Sequence, residues 1–556
     1  MTTAYSKVWR RTLGQKYENW VSSTKKIPLS YEEVAQIVEL NRDFNSVENL
    51  EYGDHGLEEA FEAIKIAIDQ RKRIALYADY DVDGTMSCVS WIWFLKALGH
   101  ENYVHYIPDR FKEGYGVNLS AVKHLAQNEN AELIITMDTG ITANEEAKWC
   151  KENGVEFICT DHHKIQQEKM PDCIILNPKL HPEEIYQELC GCGITFVLLR
   201  KLGRHYDLKG SIWTDLLALT GMATICDIVP LNGVNHSLAK MGVSALSKSN
   251  REVLKKLLSA TSALEEADET DVGFKLGPRI NAVGRLEHAN KIIDAFISEE
   301  PDELISYMSK CNEERKKIQS NIVERALELA ETYKDDPILF LGYEEWHQGV
   351  VGIAASKLVE TFWKPVWLYQ RGEICKGSAR SIEGFDVTDA MSSVKQSFLK
   401  FGGHKAAGGF SFSLEKEDEI RKGLIDYARE FKNQSPQIWT PKINYDCKIG
   451  KDLLNLELCY SLNKLKPFGH KFEQPSFEVE AQITKIDHYN DKATGLPKHT
   501  CIFIDTGDRW PQKIMFFGQV IDNLTVGTIA QFLVKVDKNV WKGRTYLSLL
   551  GLDYSF

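Results

Sequence analysis

The chain has 556 residues, 43% hydrophobic and 26% charged, with 67 basic against 79 acidic side chains and a net charge of −12. That length calls for about three or four domains, the composition is that of an ordinary soluble globular protein, and the acidic balance excludes a histone-like polybasic binder while leaving room for a local basic groove. Residues 1–9 lack the order of a signal peptide, no apolar run reaches roughly 18 residues, and twelve cysteines contain no Cys-x-x-Cys, so a cytoplasmic protein is expected, with Cys190 and Cys192 as small buried side chains.

Residues 1–50 read as a helical lead-in, with a helix at 31–40 behind a Ser30 cap. Lys7, Arg10, Arg11 and Lys16, near Trp9 and Trp20, read as a solvated face. From Leu57 helix and strand alternate through a domain set at 51–245. A helix at 57–70 precedes a strand from Ile74, and an amphipathic helix follows with Met86, Val89, Trp93 and Leu98 at helical spacing. Short β-branched runs at 103–107, 133–137, 155–159 and 174–176 complete the pattern of a mostly parallel sheet covered on both faces.

A connecting region at 246–335 holds Gly277-Pro278-Arg279-Ile280-Asn281 and an unbroken helical pattern from 301 to about 334. At 1.5 Å per residue that helix reaches roughly 50 Å and reads as a strut. A second α/β unit is set at 336–437, with a hairpin turning at Arg371-Gly372, then Gly377-Ser378-Ala379-Arg380 and the run Gly402-Gly403-His404-Lys405-Ala406-Ala407-Gly408-Gly409. Beyond Pro441 the period changes to two, with strands near 442–449, 477–487, 500–504, 512–517, 529–536 and 545–550 and barely a helix between them. An OB-type β-barrel is expected over 438–556.

The ends of the strands carry the chemistry. Asp79-Tyr80-Asp81-Val82-Asp83-Gly84 closes the strand from Ile74, at the carboxyl edge where open α/β sheets bind ligands. Asp138-Thr139-Gly140 and Asp161-His162-His163 close two further strands, and Asp227 ends the apolar run 216–225. A calcium loop needs a glutamate where Ser90 stands, and a helix where a strand is expected. A phosphatase nucleophile loop explains the aspartate triplet but leaves Asp161-His162-His163 unemployed. A two-metal phosphoesterase employs them all: carboxylates and imidazoles suit such ions, and a bridging carboxylate can hold two of them to activate water and offset phosphoryl charge. Left unpaired, these carboxylates would destabilise the fold.

In their order, these motifs resemble the DHH phosphoesterase superfamily, and the glycine-rich run resembles its DHH-associated domain. With Gly277-Pro278-Arg279-Ile280-Asn281 and the terminal barrel, the resemblance is closest to its RecJ branch, the single-strand-specific 5′→3′ exonucleases of bacteria, and covers nearly the whole chain from about residue 50. It implies a multidomain α/β protein: a parallel-sheet phosphoesterase domain, a long connecting helix, a second α/β domain and an OB-like barrel. It implies two Mn²⁺ or Mg²⁺ ions on Asp81, Asp83, Asp138, His162 and Asp227, with Asp138 as the bridge. Asp79 is placed with the metal set and His163 with the catalytic set, and for these two and Asp161 the choice between ligand and ligand-orienting residue stays open.

Arg110, Arg279, Ser378 and Arg380 are implied for a 5′-phosphate pocket. The glycine-rich run can bring backbone N–H groups to a phosphate, with His404 and Lys405 beside it. Tyr80, Phe111, Tyr115 and Trp346 are candidate stacking platforms, and Lys448, Lys451, Lys464, Lys466 and His470 a second holding site on the barrel. The expected activity is release of 5′-mononucleotides from single-stranded DNA, in repair and recombination. The alternatives are a small-molecule or short-oligonucleotide phosphoesterase and a non-catalytic replication scaffold. Family resemblance adds a single-strand-binding protein and a helicase as partners; a monomer with no membrane contact is expected.

Overall fold

The computed structural model describes residues 20–42, 53, 56–181, 186–261, 267–491, 494–507 and 510–556. The basic residues expected near Trp9 lie outside them. The described residues form two compact units: Arg42–Glu313 with Leu465–Gln474, and the rest. Among them, no helix is long and apolar enough to cross a membrane.

The first unit is built on an all-parallel five-stranded sheet in the order Tyr103–Tyr106, Ile74–Ala78, Leu133–Met137, Glu156–Thr160, Ile174–Leu176. Ala78 pairs with Met137, and Met137 with Thr160, so Asp79, Asp138 and Asp161 emerge side by side at one edge. The helix that follows, Val82–Ala97, is not amphipathic as the spacing predicts: every residue from Val82 to Leu95 is buried. It packs against the helices Gly191–His205 and Ile212–Cys226 as well as against the sheet. Its polar residues turn inward on their own backbone, Thr85, Ser87 and Ser90 donating to the carbonyls of Asp81, Asp83 and Met86, which lets them sit in a core helix. One apolar core runs from Leu57 to Cys311, taking in the helices Glu252–Ala260, Gly277–Leu286 and Asn290–Ile297. The long helix expected from residue 301 is present as Asp302–Thr332, 31 residues long.

The second unit holds a mixed sheet in the order Lys400–His404, Ala407–Ser413, Ile374–Arg380, Val366–Gln370, Leu339–Tyr343, in which only the last pair is parallel. The glycine-rich run is an edge hairpin, with Gly402 opposite Gly409 and Gly403 opposite Gly408. The barrel closes in the order Ser476–Asn490, Pro497–Asp505, Gln512–Phe516, Arg544–Ser555, Ile529–Trp541 and back to the first strand, with the Gln512–Phe516 and Arg544–Ser555 pair parallel. This is the OB connectivity.

Three features of this unit differ from the sequence reading. The lead-in is not wholly helical: Trp20–Ser22 forms a strand parallel to Ile443–Tyr445, and only then comes the helix Tyr31–Asn41, its Glu33 N–H capped by Ser30 Oγ. A helix, Leu456–Asn463, precedes the barrel strands. Residues 465–474, expected within the barrel, belong with the first unit.

Candidate metal centre

The first unit brings Asp79, Asp81, Asp83, Asp138, His162, His163 and Asp227 together, in three overlapping groups whose ligand atoms lie within 4.8 Å of one another: Asp83, His162 and Asp227; Asp79, Asp81 and Asp138; Asp138, His162 and His163. His162 Nε2 sits at the middle, 3.1 Å from Asp138 Oδ1, 3.5 Å from Asp227 Oδ2 and 3.7 Å from Asp83 Oδ2. Asp138 belongs to two of the three groups. Its φ of 58° is in the left-handed region, a strained conformation that turns its side chain out of the sheet's alternation.

Three of the carboxylates are aimed by backbone N–H groups. Asp81 Oδ1 accepts from the N–H of Asp83 and Gly84 and caps the buried helix. Asp83 accepts from the N–H groups of Gly191 (2.5 Å) and Cys192 (2.7 Å), at the N-terminus of the helix Gly191–His205. A Cβ at Gly191 would lie 2.8 Å from Asp138 Cβ and 3.0 Å from Asp83 Oδ2, so only glycine fits there. Asp161 is fully occupied: Oδ1 accepts from the N–H of His162 and His163 and from His163 Nδ1 (2.8 Å), and Oδ2 from Ile141 N–H. It builds the loop and orients His163, whose Nε2 lies 3.0 Å from Tyr115 Oη.

Burial, and then the neighbouring carboxylates, push Asp79, Asp138 and Asp227 well above the usual carboxylate range, with Lys179 pulling Asp227 the other way. The same causes raise Asp83 to about 6. Burial also works to raise Asp161, but the hydrogen bond and charge of His163 outweigh it and hold it at about 2. The carboxylates of the set outnumber the cations beside them, His163, Lys179 and Arg110, so the cluster carries an excess of negative charge. Asp79 Oδ1 is buried with no hydrogen-bond partner. Oxygen and imidazole donors around an orphaned carboxylate oxygen fit a pair of Mn²⁺ or Mg²⁺ ions.

The residues expected to hold phosphate are placed differently from one another. Arg110 stacks on Tyr80, its guanidinium carbon 4.5 Å from the ring centre, beside Asp79 and Asp81. Arg279 is committed elsewhere, donating to the carbonyls of Lys275 (2.7 Å) and Ala260 (3.2 Å). Ser378 and Arg380 lie in the second unit, where the register puts Gly402, Gly409 and Ser378 in one row and His404, Ala407 and Arg380 in the next, all on one sheet face. A Cβ at Gly402 or Gly409 would meet nothing within 4 Å, so that face is bare backbone. Gly352, in the first turn of the helix Val351–Phe362, approaches both neighbours: a Cβ there would lie 3.0 Å from Arg380 Nη2 and 3.2 Å from Ser378 Oγ. Lys405 is exposed in the hairpin turn. Trp346 is buried and belongs to the core.

The basic residues expected on the barrel carry ion pairs: Lys448 with Glu478 and Glu480, and Lys451 with Asp505. Lys466, with His470, lies in the segment that joins the first unit, and pairs with Asp268 and Glu269. Cys190 and Cys192 are buried as expected, but their segment matters through its backbone. The two N–H groups on Asp83 are the part of the site that residue types do not reveal. The run Cys-Gly-Cys-Gly opening a helix is the available signal, since small residues there admit a close approach.

Family profiles for the DHH family N-terminal domain, the DHHA1 domain and the RecJ OB domain match residues 73–224, 335–430 and 445–553. The single-stranded-DNA-specific exonuclease RecJ of Bacillus subtilis (strain 168) is 37% identical over 439 residues, covering 77% of this chain and 54% of the relative. That of Salmonella typhimurium is 30% identical over 452 residues, covering 76% of this chain and 77% of the relative. The chain thus spans about half the length of the first and about three quarters of the second. The crystal structure of RecJ in complex with Mn²⁺ from Thermus thermophilus shares the fold, with a TM-score of 0.83 at 24% identity over 97% of this chain and 79% of that one. With the three domains in this order around the DHH cluster, the chain belongs to the RecJ family of DHH phosphoesterases.

Proposed function

We propose that the chain is a Mn²⁺- or Mg²⁺-dependent exonuclease that degrades single-stranded DNA from the 5′ end and releases 5′-mononucleotides, serving DNA repair and recombination. The observation that carries this reading is the convergence of six carboxylate and imidazole ligands, with the orphaned Asp79 oxygen among them, in a chain of the RecJ family. Asp79, Asp81, Asp83, Asp138, His162 and Asp227 would hold the ions. Ions held there would supply Lewis-acid charge to the phosphoryl group and make a water more acidic.

The chain's own residues do the rest. The helix N-terminus fixes Asp83, and Asp161 sets the ring of His163, which with Tyr115 can hold or pass a proton at the rim of the cluster. Arg110 on Tyr80 offers a flat cation to the phosphate backbone. Ser378, Arg380 and the helix N-terminus at Gly352 suit a terminal phosphate, which would set polarity, and His404 and Lys405 flank a bare glycine surface open to the strand. A complete cluster also favours an enzyme over a non-catalytic scaffold.

Oligonucleotides labelled at the 5′ or the 3′ end, incubated with Mn²⁺, decide the matter. Release of labelled mononucleotide from the 5′ end is expected. Loss from the 3′ end first, or efficient cleavage of dinucleotides alone, overturns the polarity or the polymer substrate.

A further inference from the structure

Asp227 is held unlike its partners. Asp79, Asp138 and His162 follow sheet strands, and Asp81 and Asp83 open the buried helix Val82–Ala97. Asp227 instead caps the C-terminus of the helix Ile212–Cys226. It leads into Ile228, a β-branched residue at φ 60° and 67% exposed. Such a conformation persists only where the surroundings over-determine it.

The constraint comes from far along the chain. Leu231 N–H donates to His470 O (2.8 Å), and a Cβ on Gly469 would lie 2.5 Å from Leu231 Cδ1, so the backbone of 465–474 lies directly on the end of the turn. His236, in the next helix, has its Nε2 2.9 Å from Leu465 O and its ring edge-on to Phe472 at 5.1 Å. On the other flank, Phe468 N–H donates to Glu269 Oε1 (3.3 Å), and Lys466 Nζ lies 3.6 Å from the same oxygen. Glu269 opens the short helix that runs into the π-helical turn Val272–Leu276 and on to Gly277, which packs against Cys226, the residue before Asp227. The strap therefore grips the Asp227 turn from the residues after it and from the residues packed before it.

We propose that residues 465–474 are the positioning element for Asp227, and that they set the affinity of the metal position built from Asp83, His162 and Asp227. This deepens the proposed function and rests on its reading of Asp227 as a ligand. Gly469→Val pushes on Leu231; adding Leu231→Ala vacates the space. Phe472→Leu loosens the strap more gently.

The test uses the full chain, stripped of metal by chelation and titrated with Mn²⁺ while the free ion is followed by electron paramagnetic resonance. Melting temperature and steady-state cleavage of single-stranded DNA are measured beside it. Gly469→Val is expected to weaken one of two Mn²⁺ equivalents at least ten-fold and to lower kcat with little change in KM for DNA. The Leu231→Ala second change should restore most of that affinity. Mn²⁺ binding equal to wild type in the strap variants, whatever their melting temperatures, overturns the proposal and leaves the strap as packing only. Should Gly469→Val fail to fold, Phe472→Leu decides it: at least three-fold weaker Mn²⁺ binding supports the proposal and unchanged binding overturns it. If wild type and Asp227→Ala bind Mn²⁺ alike, the ligand reading itself has failed, a result separate from any strap variant.

Discussion

The parallel and the mixed five-stranded sheets are α/β layers of opposite electrical character. The parallel sheet ends in carboxylates that its topology forces together, and burial makes those of Asp79 and Asp138 harder to ionise. The mixed sheet gathers bare glycine backbone, Ser378, Arg380 and His404 on one face. The first arrangement suits cations, and the second, on the proposed function, suits a phosphate.

The contrast can be broken at its strongest point first. Asp138→Ala removes a carboxylate shared by two of the ligand groups, and turnover on single-stranded DNA should fall by at least about 10³-fold. Binding of single-stranded DNA in a filter assay should persist, and the metal-free protein should melt at a higher temperature because a repulsive buried carboxylate is gone. On the other sheet, Gly352→Val would drive a side chain into Arg380 and Ser378. We expect a loss of about ten-fold in the preference for 5′-phosphorylated over 5′-hydroxyl ends, from the removal of one charge-assisted contact. Competition between the two labelled ends reads this out.

A smaller effect tests the charge argument by pH. Asp83 titrates near 6 in the folded chain against an ordinary 3.8. A raised carboxyl value means the native state holds the extra proton, so its contribution to stability is full below the unfolded value and is lost as pH rises through about 6. The chelated protein should therefore melt several degrees lower at pH 7 than at pH 5, and saturating Mn²⁺ should cancel the difference. Smallest of all, Lys448→Ala should change single-stranded DNA affinity by less than about two-fold, since that cation is already engaged by Glu478 and Glu480.

Much of this is legible in the residues. Strand ends at Asp79, Asp138 and Asp161 can be read because short β-branched runs stop at polar residues, and a parallel sheet makes such ends converge. The buried helix Val82–Ala97 escapes the same reading because periodicity reports one covered face, and here helices on the far side cover the rest. The glycine-rich run suggests a phosphate loop; composition alone does not distinguish a loop from a hairpin whose glycines pair across strands. Arg279 and Lys466 illustrate a general blindness: a charged side chain's partner is a tertiary fact. So is the departure of residues 465–474 from the barrel, since no local pattern records which body a connecting segment packs on.

That segment has a consequence for how the molecule is made. The first unit is otherwise finished at Glu313, and its last piece begins at Leu465. At roughly 5–20 residues per second, the intervening stretch of about 150 residues occupies a ribosome for on the order of ten to thirty seconds. For that interval the turn after Asp227 lacks its cover. The half of the chain that carries the ligand cluster is thus translated first but completed late, after the second α/β domain has emerged.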